Sequence, residues 1–216
     1  MDSLPDPLFI FAGLALVGMV PFIAVMATSF VKIAIVLSLV RNALGVQQIP
    51  PNIALHGIAL ILTIYIMAPV FMNAYLKLAD QNLTNLSTTE LATVVTDATQ
   101  SYRAFLSKHA ATSDKQFFVD TARQLWPEEF SSGVSKEDIM VLIPAFTIGE
   151  LKTAFEVGFL LYLPFIAVDL VVSNILLAMG MMMVSPMTIS LPFKLLLFVL
   201  LDGWTRLIHG LVLTYQ

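Results

Sequence analysis

The sequence predicts an all-α, membrane-associated fold of helical hairpins, with proline-broken helices and a small helical extracytoplasmic insert. Composition is the first reason: 58% of the 216 residues are hydrophobic and 12% are charged, with a mean hydropathy of +0.86. An average soluble domain carries about 25% charged residues, so this chain falls in the membrane class. The grouping of apolar residues into long runs joined by polar connections is the second. The third is a change of character in the middle, where residues 79–138 carry nine acidic and five basic side chains.

Residues 8–31 are 24 positions without a charge. As helix they would span about 36 Å, enough for a hydrocarbon core of about 30 Å. Asp2 and Asp6 precede this run, and neither a basic n-region nor a small-residue cleavage site is present. The run is therefore expected to be retained rather than cleaved as a signal peptide. Lys32 and Arg41 bracket IAIVLSLV, and a polar connection over residues 42–52 ends at the helix-breaking Pro50 and Pro51. Residues 53–72 form the second apolar stretch.

Inside the polar region, Ser87 and Glu90 have the spacing of a capping box. Leu91, Val94, Val95, Ala98, Tyr102, Phe105 and Leu106 then recur at the spacing of an amphipathic helix. A shorter one runs through Phe117, Phe118, Thr121, Ala122 and Leu125 and stops at Pro127. Ser135 and Asp138 are placed to cap the helix that enters the third apolar region, residues 139–201. Three units follow: an apolar hairpin over 1–78, the insert over 79–138, and a second apolar hairpin over 139–216. Two short helices build no useful core alone, so the insert is expected to pack on its own chain or on a neighbour.

Pro21, Pro69, Pro144, Pro164, Pro186 and Pro192 interrupt the apolar segments. Each removes a backbone donor and frees a carbonyl. Together they predict hairpins or half-helices whose freed groups are covered by protein rather than lipid. Lys32 and Arg41 mark the first connection as cytoplasmic, and the insert, net −4, is expected to face outward with both termini.

The third apolar region holds Glu150, Lys152, Glu156, Asp169 and Lys194, with Asp202 just beyond it. A charge at the bilayer centre costs about 2.5–3.5 kcal/mol on the gentlest scale, so these groups need partners in an interface or a wet pathway. Lys152 and Glu156 are spaced to pair along one helix face. Glu150 and Lys194 are lone charges that pair across a subunit boundary or within one chain, unless Lys194 snorkels to the interface. Asp169 is either a functional carboxylate, such as a proton relay, or a hydrogen-bond partner of the adjacent hairpin. Asp202 and Arg206 stand one helical turn apart beside Trp204, a residue type favoured at membrane interfaces, and Asp169 and Asp202 are expected to be buried structural or gating charges. Met179, Met181, Met182 and Met183 surround Gly180. Such a cluster fills core gaps or, repeated around an axis, seals a pore that can still deform.

A net charge of −4 with eleven scattered Lys and Arg excludes nucleic-acid binding. Zero cysteines exclude disulfides and thiolate metal sites. His56, His109 and His209 lack metal-ligand spacing, so no metal and no cofactor are expected. Neither a nucleophile elbow nor a phosphate loop occurs, which points away from an enzyme. An ion-coupled small-solute transporter using Asp169 and Glu150 at mid-membrane is the competing class. Its usual repeated halves are absent.

Three blocks carry a family resemblance: SFVKIAIVLSLVRNALGVQQIPPN (29–52), LIPAFTIGELKTAFEVGFLLYLPFIAVDLVVSNILLAMGMMMVSP (142–186) and LPFKLLLFVLLDGWTRL (191–207). Together they resemble the FliP/SctR family, the R subunit of the type III secretion export apparatus and its flagellar counterpart. The missing leader is closer to the virulence branch. The resemblance implies a pentameric ring in the bacterial inner membrane, joined by two smaller membrane subunits. That ring would be the entry gate for unfolded secreted substrates, largely above the bilayer on the periplasmic side. It further implies a pore gasket at Met181, Met182 and Met183, and an ion pair between neighbouring subunits from Glu150 and Lys194.

Overall fold

The computed structural model describes the backbone of residues 25–46, 48–79 and 88–216, with five positions between 11 and 22. The side chains of residue 78 and residues 88–98 lie outside the description, as do Pro21 and the capping box expected at Ser87 and Glu90. Among the described residues the secondary structure is helical throughout, without strands. The helices are α1 (Phe30–Leu44), α2 (Asn52–Ala79), α3 (Thr88–His109), α4 (Thr112–Leu125), α5 (Glu128–Ser131), α6 (Ile139–Ala178), α7 (Pro186–Leu200) and α8 (Gly203–Leu213).

The first apolar run does not continue into Lys32. Val25 and Met26 are helical, residues 27–29 form a turn, and α1 starts afresh at Phe30. α1 stops at Gly45, which takes the left-handed conformation at φ 76° and donates its N–H to the Asn42 carbonyl at 3.0 Å. Ile33, Val36 and Leu37 are completely buried and Val40 nearly so. Each such side chain contributes about 1.5–3 kcal/mol on burial, which makes α1 the central helix of the larger core.

α6 runs parallel to α1: Lys32 meets Glu150 near one end, and Leu39 presses on Gly158 further along. A Cβ at Gly158 would overlap the Leu39 side chain, so the absence of a side chain there sets the helix separation. α7 returns antiparallel to α6, with the Phe198 ring 6.3 Å from that of Phe165 and Lys194 beside Asp169. α7 and α8 meet at a 60° bend. At the bend Asp202 is left-handed with φ 50°, and the Phe198 ring leaves no room for a Cβ on Gly203.

Prolines interrupt fewer helices than expected. Pro69 lies inside α2, Pro144 and Pro164 inside α6, and Pro192 inside α7, while Pro186 opens α7. A proline inside a helix loses one hydrogen bond, yet each of these helices continues through it. Among the described prolines of the apolar segments, only Pro186 coincides with a break, and there the residues from Met179 to Ser185 already form the turn.

α2 over Asn52–Lys77 and α6 are long and apolar enough to cross a membrane, and the bent α7–α8 pair makes a third span if taken as one. The 40 residues of α6 extend about 60 Å, about twice the hydrocarbon thickness. Its first turns pack on the insert instead. Leu142, Ala145 and Phe146 join Leu106 of α3 and Ala110 just after it, while Val141 joins Val119 and Ala122 of α4. The insert therefore packs on its own chain. α4 ends at Leu125 ahead of Pro127, where the sequence predicts the stop. Asp138 occupies the N-cap of α6, but its carboxylate accepts the Ser135 N–H at 2.6 Å rather than an amide of α6.

Candidate functional site

Two buried ion pairs sit at opposite ends of α1. At its start, Lys32 and Glu150 are 3% and 4% exposed, with Nζ 3.2 Å from Oε1. The other Glu150 oxygen accepts the Tyr215 hydroxyl, and the Lys32 ammonium lies 3.7 Å from the centre of the Tyr215 ring. At the far end, Lys194 is 3% exposed and bonds Asp169 Oδ2 at 2.5 Å. It also donates to the Ala43 carbonyl at 3.1 Å, one of the acceptors left open at the end of α1, where the helix dipole favours a cation. Ser190 donates to the other Asp169 oxygen at 2.5 Å.

Within the chain, Glu150 and Lys194 do not meet; each is buried with a partner of its own. Asp169, expected as the most isolated acid, pairs with Ser190 and Lys194 of α7 inside its own hairpin rather than with a neighbouring one, with its side chain 32% exposed. Asp202, expected to be a buried charge, is exposed. The left-handed backbone of the α7–α8 bend turns it out of the packed layer, and its carbonyl accepts the Arg206 N–H at 3.0 Å. Lys32, counted in the sequence as a charge near the first connection, is a core residue. Lys152 and Glu156 are exposed and 4.0 Å apart, a spacing worth only about 0.2–0.5 kcal/mol.

Two residues escape sequence reasoning. Lys32 has charge-free sequence on both sides, the same signal that singled out Lys194. Tyr215 carries no signal at all.

The methionines lie elsewhere. Gly180, left-handed at φ 73°, turns the chain between α6 and α7, and its N–H donates to the Leu177 carbonyl at 3.0 Å. The turn throws the methionines outward: Met179 and Met181 are exposed, Met182 is 82% exposed and Met183 fully so. The expectation of gap-filling in a core therefore has no counterpart within the chain. Beside the turn, α6 and α7 enclose a wholly apolar groove lined by Val168, Val171, Ile175, Ile189 and Phe193. Phe155, Phe159, Leu160, Leu196, Val199 and Leu200 add further exposed apolar surface on the same hairpin. Soluble monomers rarely expose patches of this kind beyond a few hundred Å².

The insert is tied to this framework by polar contacts. Tyr102 donates to the Ala27 carbonyl at 2.8 Å, and burial pushes its hydroxyl pKa up to about 12, which keeps it a donor. Outside the insert, Thr147 of α6 donates to the Met26 carbonyl at 3.0 Å. Burial, followed by the positive charges of Lys108 and Lys32, lowers the His109 pKa from its ordinary value. Among the described residues no three His, Cys, Asp or Glu converge on a metal-sized site.

Comparison with known proteins follows this geometry. The FliP family model matches residues 14–211. The chain is 56% identical to Yop proteins translocation protein R of Yersinia pestis, covering 100% of this chain and 99% of that one. It is 48% identical to the hypersensitivity response secretion protein HrcR of Ralstonia nicotianae, with 93% of each chain covered. Against virulence protein YscR of Salmonella typhimurium the identity is 46%, over 99% of this chain and all of the other.

Proposed function

The chain belongs to the FliP family, and from that premise we propose that it is a core subunit of the export gate of a type III protein secretion system. Copies of the chain form a ring, pentameric as the family resemblance implies, in the inner membrane and protruding to the periplasmic side. Two smaller membrane subunits join the ring, and unfolded substrates pass along its axis. The protein is a structural conduit that catalyses no reaction, and energy for export comes from elsewhere.

The observation that carries this reading is the methionine turn. Met182 and Met183 project from the α6–α7 turn, 82% and fully exposed among the described residues, on a hairpin whose apolar faces are also largely uncovered there. Repeated around a ring axis, these flexible and polarisable side chains close the aperture to ions and deform around a polypeptide. The buried ion pairs hold the hairpin that presents the turn. The relatives named above are translocation, secretion and virulence proteins, which favours protein export over solute transport.

Replacing Met181, Met182 and Met183 with alanine tests the gasket. The expected result is a raised ion leak across membranes that contain a normally assembled complex. An unchanged leak removes the gasket role.

A further inference from the structure

Tyr215, two residues past α8, joins the C-terminal segment to α1, α3 and α6. Its hydroxyl donates to Glu150 on α6, and its ring lies under the Lys32 ammonium of α1. On the other side the ring stacks on Phe105 of α3, with centroids 6.1 Å apart and planes 17° apart. It meets His109 edge-on at 5.3 Å. Burial, then the Glu150 charge, raises the Tyr215 pKa, so the hydroxyl keeps its proton and stays a donor at any physiological pH.

We propose that Tyr215 is a positioning residue for gate opening: a latch that holds the helical insert against the Lys32–Glu150 pair. The role rests on the export-gate reading given above. The geometry supports it in two ways. Only a side chain with both a ring and a terminal hydroxyl reaches the aromatic face of α3 and the carboxylate of α6 at once. The contact also sits where the insert meets the hairpin, at the end of α6 opposite the methionine turn. A shift of α3 is thereby transmitted to a buried charge pair, whose hydrogen bonds are strong in a dry environment and costly to leave unmade.

The test uses the assembled export complex in membranes. The chain has no native cysteine, so Ala110→Cys, at the residue just after α3, 7% exposed and packed against α6, reports on insert docking through its maleimide labelling rate. Tyr215→Phe keeps the ring and removes the hydroxyl. With complex yield unchanged, labelling is expected to rise about tenfold or more, the loss typical of a hydrogen bond to a charged group, and secretion is expected to fall. Phe105→Leu loosens the same latch from the insert side and raises labelling even if Tyr215→Phe does not assemble. Unchanged labelling in the assembled variant overturns the latch. Raised labelling with undiminished secretion overturns its role in export. Neither of these touches the export-gate reading, which fails instead if the unmodified complex never contacts a secreted substrate.

Discussion

Lys32 and Glu150, 118 positions apart in the chain, meet at 3.2 Å in a site from which solvent is almost entirely excluded. The pair joins the central helix to the longest one, and neither partner can lose its charge without leaving the other stranded.

Removing one partner of such a pair typically costs about 3–5 kcal/mol. Lys32→Met or Glu150→Gln alone is therefore expected to deplete the assembled complex in membranes. The exchange of the two, Lys32→Glu with Glu150→Lys, recovers a substantial part of it. A matching exchange between Glu150 and Lys194 restores nothing if the partners seen here hold. The opposite pattern, measured by native gels of extracted complex, assigns Glu150 and Lys194 to the subunit boundary that the family resemblance implies.

Asp169 and Lys194 give a second expectation. Asp169→Leu leaves Lys194 with only the Ala43 carbonyl, again a cost of about 3–5 kcal/mol for a stranded buried charge. The double variant Asp169→Leu with Lys194→Met is expected to be more stable than the single one. Thermal unfolding of purified complex, compared across the three proteins, checks the order.

Gly158 sets the distance between α1 and α6. Gly158→Ala forces its Cβ into the Leu39 side chain, and overpacking of this kind costs typically about 1–3 kcal/mol. Pairing it with Leu39→Ala makes room and is expected to recover part of the loss in melting temperature.

His109 makes insert docking sensitive to pH. Its pKa is lowered in the folded chain, so between that value and the ordinary one the unfolded state binds more protons. The stabilisation is complete above about pH 6.5, the unperturbed value, and is lost as pH falls toward the lowered pKa. Labelling of Ala110→Cys is expected to speed up on going from neutral to mildly acidic buffer, and His109→Gln to flatten that profile.

Much of the architecture was legible in residue patterns. The apolar segments, the stop at Pro127 and the turn before Pro186 follow from local chemistry, because each depends on neighbours within a few positions. Lys152 and Glu156 could be paired from spacing alone for the same reason. Partner choice for the buried charges could not. Lys32 finds Glu150, and Lys194 finds Asp169, through helix packing that no local spacing encodes. Lys32 was read as a charge near the first connection, because a lysine at the edge of an apolar run reads alike whether it faces water or a distant carboxylate. Prolines misled in the opposite sense: each costs a hydrogen bond, but Pro144 and Pro164 lie inside an unbroken α6. Asp202, expected as a buried structural or gating charge, is exposed within the chain at the left-handed bend.

The most direct test of the account places a photo-crosslinking amino acid at Met183 of the chain in secreting cells, with a substrate stalled in transit. The methionine turn is predicted to yield adducts with the stalled substrate and with sister copies of this chain. Adducts with lipid alone, from a complex that assembles and secretes normally, contradict it.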